Sequence, residues 1–195
     1  LRDGNRRFVA NESQHSIGNE ARRRGLVGKQ EPIAVILGCS DSRVPAEIVF
    51  DQGIGDLFVV RVAGNVVQPS LAGSVEFACS EFGTRLVVVL GHSQCGAVQA
   101  TLEALRSQQE QFSENIGTIA EFIRPSVEAA LASDREADTD DIVEKAVRAN
   151  VRAATEKLRH ASEIIAGLER DNGLAIVGAE YSLETGLVDF VDGVS

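Results

Sequence analysis

The stretch Ile33-Ala-Val-Ile-Leu-Gly-Cys39-Ser-Asp41-Ser-Arg43 decides the fold. Ile33–Leu37 is wholly apolar and rich in β-branched side chains, and it runs straight into a cluster of chemically active residues. A strand wetted on one face would alternate apolar and polar residues. A continuous apolar run of this length suits a strand buried on both faces, as in a parallel sheet covered by helices. Leu86–Leu90 repeats the pattern and ends in Gly91-His92-Ser93-Gln94-Cys95-Gly96. Leu57–Val60 and Leu174–Val177 are two further runs of this kind. Leu187–Phe190, beyond the Thr185–Gly186 turn, predicts an antiparallel edge strand.

Helical patterns fill the gaps. Ser70–Glu81 carries an apolar stripe that continues to Phe82, and Gly96–Arg106 follows the third strand directly. Ser113–Ala132 reads as helix that Pro125 should break or kink. Asp140–His160 is the strongest helix, with Ile142, Val143, Ala146, Val147, Val151, Ala154 and Leu158 at three- and four-residue spacing. Asp140 and Asp141 sit near its start, where negative charge is favoured. Asp171–Gly173 should end one more helix before the fourth strand, and the acidic run 134–141 reads as a solvated linker and helix start. Residues 1–28 are polar, with helix-friendly stretches at Arg2–Asn11 and Glu20–Leu26. The alternation predicts an α/β fold: a mostly parallel central sheet with an antiparallel edge strand, flanking helices and an N-terminal helical arm. No repeat or linker divides the chain, so residues 1–195 are expected to form a single domain, with 1–30 as the arm.

Composition narrows the function. The chain has 195 residues and a formal net charge of -10, an acidic balance that argues against nucleic-acid binding. No apolar run exceeds five residues, far short of the ~20 needed to cross a bilayer. Three cysteines cannot all pair within one chain, so reduced thiols serving packing, metal or catalysis are expected. A cytoplasmic location is the expectation. The start at Leu1 and the lack of methionine predict a trimmed or processed chain, which leaves an organellar or exported location open.

In parallel α/β sheets ligands gather outside the carboxyl ends of strands. The first strand ends in the cluster that holds Cys39 and Asp41, and the third in the one that holds His92 and Cys95. Two thiols, an imidazole and a carboxylate suit zinc. Cys39, His92 and Cys95 are the expected ligands. Asp41 is either a conditional fourth or a neighbour that leaves the fourth position to water. Arg43 can clamp the Asp41 carboxylate through two parallel hydrogen bonds and draw it off the metal. The bland alternatives are buried core thiols and a redox pair. The second lacks a Cys-x-x-Cys signature and leaves His92 and Asp41 without a role. Cys79 reads as a packed helix thiol, His15 and His160 as surface groups, and Gly53-x-Gly55 as a turn, without the third glycine of a dinucleotide loop.

Cys39-Ser-Asp-Ser-Arg43, followed 49 residues after Arg43 by His92-Ser-Gln-Cys95-Gly96-Ala97, resembles the β-class carbonic anhydrases, and the similarity runs from about Gly4 to Gly186. The resemblance implies one Zn2+ per subunit on Cys39, His92 and Cys95, with an Asp41–Arg43 dyad as catalytic residues. It implies reversible hydration of carbon dioxide to bicarbonate and a proton by zinc-bound hydroxide. Gln30, Phe58, Ala63, Phe77 and the Gly96 N–H match substrate-binding or cleft positions. It also implies a homodimer whose clefts lie at the interface, so that some lining residues come from the second subunit; tetramers and octamers also occur in the family. Two departures stand out. Arg61-Val62-Ala63-Gly64-Asn65 replaces the family's common Arg-Asn-x-Ala-Asn. Ile36 stands where some members carry the tryptophan of a regulatory bicarbonate site, which predicts that this site is missing here. A carbonyl sulfide or carbon disulfide hydrolase on the same zinc scaffold is the alternative. A non-catalytic zinc module with Asp41 held on the metal is the second.

Overall fold

The computed structural model describes residues 1–15, 18, 20–107, 112–133 and 138–193. Two short helices, α1 (Arg2–Val9) and α2 (Glu20–Gly25), precede β1 (Ala34–Cys39). There follow α3 (Ala46–Val49), β2 (Leu57–Val62), a 3-10 turn over Ala63–Asn65, α4 (Pro69–Glu81), and β3 (Leu86–His92). Four helices, α5 (Gly96–Ser107), α6 (Glu114–Ser133), α7 (Thr139–Arg159) and α8 (Glu163–Asp171), lead to β4 (Ala175–Tyr181) and β5 (Val188–Asp192).

The sheet order is β2-β1-β3-β4-β5, with β5 antiparallel and the other pairings parallel. This is the expected α/β architecture with its antiparallel edge. Every residue of β1 is buried, which is why its sequence does not alternate. The two faces still separate with the period of a strand. Val35, Leu37, Val87 and Val89 pack with Val75, Ala78 and Cys79 of α4, with Leu158 of α7 and with Ile165 of α8. Ala34, Ile36, Val88 and Leu90 pack on the other face with Val49, Phe50 and the α1 residue Phe8. Leu158 alone, fully buried, contributes about 1.5–3 kcal/mol by leaving water.

Two expectations change. The strands run further than their apolar runs, and Cys39 and His92 are the last residues of β1 and β3. Ladder pairing carries each chain on: Cys39 pairs with Val62, and His92 with Tyr181. Nor does Pro125 break its helix. α6 continues through it because Pro125 and Glu121, whose carbonyl the proline leaves unbonded, both lie on the exposed face. Part of the acidic run, residues 134–137, lies outside the described residues. Asp138 caps α7 by accepting the Asp141 N–H at 2.9 Å.

The arm is tied to its own chain at α1. Asn5, buried, donates to the carbonyls of Val49 and Gly186 and accepts the Val188 N–H. Arg7 donates to Asp51 at 2.6 Å, and the N–H groups of Gln14 and His15 close on the same carboxylate. α2 buries none of its residues. At the other side of the fold α7 presses hard against β3. A Cβ at Gly91 would lie 2.5 Å from Val151 Cγ2, so only glycine permits this approach one residue before His92.

Candidate metal centre

The sheet brings together, from 39 and 92–95 in sequence, one ligand atom each of Cys39, His92 and Cys95, all within 4.8 Å of one another and all buried. His92 follows Gly91 at the end of β3. Its Nδ1 lies 2.9 Å from the Ser93 carbonyl. That oxygen can only accept, so Nδ1 carries the proton and Nε2 presents a lone pair. Nε2 is fully buried and has no hydrogen-bond partner. A buried nitrogen left this way costs about 1–3 kcal/mol unless something takes its lone pair. Two sulfurs, an imidazole nitrogen and that orphaned lone pair are the donor set a zinc ion satisfies.

The two thiols lean on one another. Cys95 donates to Cys39 and holds it well below its ordinary value against the opposing effect of burial; the N–H groups of Asp41 and Gly64 add to the lowering. The Cys95 thiol is pushed up by that hydrogen bond and by burial. A bound dication would draw both sulfurs to thiolate. Ala97 and Val98, in the first turn of α5, turn their N–H groups toward the Cys95 sulfur.

Asp41 stands beside this group and outside it. Its Oδ1 accepts from Arg43 Nε at 2.9 Å and from the Arg43 N–H at 2.9 Å, and its Oδ2 accepts from Nη2 at 2.8 Å. Oδ2 is 3.8 Å from His92 Nε2. The Arg43 guanidinium beside it holds the carboxyl well below the usual carboxylate range. Arg43 also reaches the Gln94 carbonyl at 3.5 Å, which ties the β1 loop to the β3 loop. Gly96 is exposed at the start of α5, where N–H groups have no intrahelical acceptor, and a Cβ there would meet nothing within 4 Å. Ala63 and Ala97 share an apolar hollow of about 270 Å³ with Ala100, Ile116 and Ile119.

Gln30, Phe58 and Phe77 are not brought to this group within one chain. Phe58 pairs with Val35, four residues before Cys39, or about 13 Å along the strand. Phe58, Phe82 and Phe77 form an aromatic chain near the amino end of the sheet, with centroids 6.0 and 5.4 Å apart. Phe77 is 53% exposed. Gln30 is exposed before β1, in a stretch that also exposes Val27 and Ile33. Cys79 is buried in α4, His15 lies near Asp51, and His160 bonds Glu156.

Three contributors were given no role in the sequence reading. Arg61 donates to the carbonyls of Cys39 and Asp41 at 2.9 and 2.6 Å, clamping the backbone on either side of Ser40. Its signal was a charge inside the apolar β2 run. Gly64 donates its N–H to the Cys39 sulfur at 3.3 Å from a left-handed turn. Asn150 donates to the Gly64 carbonyl at 2.9 Å. Its signal was a polar residue inside the apolar stripe of α7.

A parallel α/β sheet that carries two thiols and an imidazole at its carboxyl end defines a protein with a zinc-type site. The carbonic anhydrase family model matches residues 34–188. The chain is 42% identical over 193 residues to "Carbonic anhydrase 2" of Mycobacterium tuberculosis, covering 95% of this chain and 87% of that protein. A solved β-carbonic anhydrase of Aspergillus fumigatus is similar at a TM-score of 0.80 and 26% identity, over 98% of this chain and 88% of that one. The tetrameric β-carbonic anhydrases of Sordaria macrospora give a TM-score of 0.78 at 25% identity, over 89% of this chain and 87% of theirs. The chain belongs to the carbonic anhydrase family, in its β class.

Proposed function

We propose that the protein catalyses the reversible hydration of carbon dioxide to bicarbonate and a proton, with one Zn2+ held by Cys39, His92 and Cys95. The observation that carries this reading is the position of Asp41. It is bidentate on Arg43 and outside the three-atom group, so a fourth position is left for water, the mark of a catalytic zinc site. A closed, non-catalytic module would need Asp41 to break that pair. When bound, the zinc ion supplies a water acidic enough to attack near neutral pH.

The chain's own residues do the rest. Asp41, kept ionised by Arg43, accepts the hydrogen of the attacking water at Oδ2 and so directs its lone pair toward carbon. The Gly96 N–H at the start of α5 is free to stabilise a developing bicarbonate oxygen. The apolar hollow beside Ala63 and Ala97 suits a small apolar gas. Gln30, Phe58 and Phe77 serve a second copy: they sit at the amino end of their own sheet, among exposed apolar side chains. A homodimer would lay that surface over the partner's metal group, in line with the tetrameric relatives of Sordaria macrospora.

The test is carbon dioxide hydration by zinc-replete protein, followed with a pH indicator and run beside hydrogen sulfide release from carbonyl sulfide. Hydration well above a Cys39→Ala control is expected. A rate equal to that control, or sulfide release that outpaces hydration, would overturn the assignment.

A further inference from the structure

α7 buries Ile142, Val143, Ala146, Val147, Val151, Ala154 and Leu158, and Asn150 is buried among them at 3% exposure. A polar side chain in that stripe must find a partner. Its partner is the carbonyl of Gly64, 86 residues away in sequence and buried as well. Gly64 in turn places its N–H on the Cys39 sulfur. Its φ of +69 is left-handed, and a Cβ there would lie 2.6 Å from Ile123 Cδ1. One residue is thus gripped at both ends, its oxygen by α7 and its N–H by a metal-ligating sulfur.

We propose that Asn150 is a positioning residue of the metal centre: through the Gly64 carbonyl it holds the Gly64 N–H on the Cys39 sulfur, and so sets how much charge that thiolate donates to the metal. The inference rests on the zinc reading above. An N–H directed at a thiolate draws electron density from it, and groups that orient ligands in this way tune a metal's affinity and acidity. A purely structural asparagine would satisfy the carbonyl and leave the sulfur unaffected.

The experiment uses the full chain loaded with Co2+ as a spectroscopic probe. Asn150→Leu keeps the size and removes the donor, and Asn150→Ala removes both. Asn150→Gln keeps an amide on a longer arm. Leu158→Ala, two turns along the same helix and remote from Gly64, controls for lost stability. The near-ultraviolet sulfur-to-cobalt absorption is expected to shift in the Leu and Ala variants and to return toward the wild-type position in Asn150→Gln. Zinc release to a chelator should be about tenfold faster in the first two. Leu158→Ala should keep the wild-type spectrum and release rate. A wild-type spectrum in Asn150→Leu or Asn150→Ala overturns the proposal, and so does a Leu158→Ala protein that shifts and releases as they do. A wild-type protein that takes up neither ion would break the metal reading itself.

Discussion

Cys95 and Cys39 meet at one point by different routes. Cys95 lies one residue before α5, and the N–H groups turned toward its sulfur belong to Ala97 and Val98, in the helix it precedes. Those backbone donors come from within three residues of it. Cys39 is the last residue of β1. Besides the nearby Asp41 N–H, it depends on Gly64, which bonds its sulfur, on Arg61, which clamps its carbonyl, and on Asn150, which holds Gly64. One thiolate is supported by local helix geometry, the other by the pairing of β2 with β1 and by the bond from α7 to the turn that follows β2. The first is expected to tolerate loss of a single support, because neighbouring N–H groups of the same turn remain. The second is expected to respond to changes far away in sequence.

The largest effect erases the comparison altogether. Cys95→Ala or His92→Ala should abolish zinc retention, measured as metal per chain after dialysis, and bring carbon dioxide hydration to background. Next, Arg43→Ala should retain zinc but lose about a hundredfold in kcat/KM, the scale of a misplaced proton-handling group. It removes the bidentate hold on Asp41 and frees that carboxylate to approach the metal group. Arg61→Ala tests the long-range route and should speed zinc release to a chelator about tenfold. Ala97→Pro tests the local route. It deletes one N–H near Cys95 at a helix start, where proline is tolerated, and should change zinc release by less than about threefold. If Ala97→Pro proves the more damaging of the two, the contrast between the thiols is wrong.

The smallest effect on the metal should come from Arg7→Ala at the arm. Burial would raise the Asp51 carboxyl, but the N–H groups of Gln14 and His15 and the Arg7 guanidinium more than offset it and hold it below the usual carboxylate range. A lowered folded value means that Asp51 contributes stability above its unfolded pKa, and that this contribution is lost as pH falls through the folded value. Arg7→Ala should cost on the order of 2 kcal/mol at neutral pH, as loss of a hydrogen bond to a charged group does. Thermal melts at pH 7 and pH 3 should show the gap from wild type narrowing at the lower pH, with zinc content unchanged at pH 7.

Much of the architecture was legible because its signals are local. Strands buried on both faces must be apolar throughout, so Ile33–Leu37 and Leu86–Leu90 announced a covered parallel sheet. The donor residues at their ends announced a metal by chemical type alone. Strand ends were read short, because ladder pairing extends a strand past its apolar residues and periodicity does not register pairing. Pro125 was read as a break or a kink because its position on the exposed face of α6 depends on what α6 packs against. Gln30, Phe58 and Phe77 could be picked out by resemblance, yet only the fold shows where they lie: the register of β1 and β2 puts Phe58 four residues back from Cys39, and ring contacts place Phe77 on the same side.

The sequence by itself determined which atoms can ligate, because thiol, imidazole and carboxylate chemistry belongs to the residue and needs no fold. It also determined that β1 and β3 deliver those atoms to the same end of a sheet, because parallel strands share a direction. Only the tertiary structure decided how the ligands are held. Asp41 is on Arg43 and not in the metal group, Gly64 donates to Cys39 from a left-handed turn, and Asn150 reaches Gly64 across 86 residues. These contacts come from helix packing and strand register, and both depend on the whole chain closing around its core.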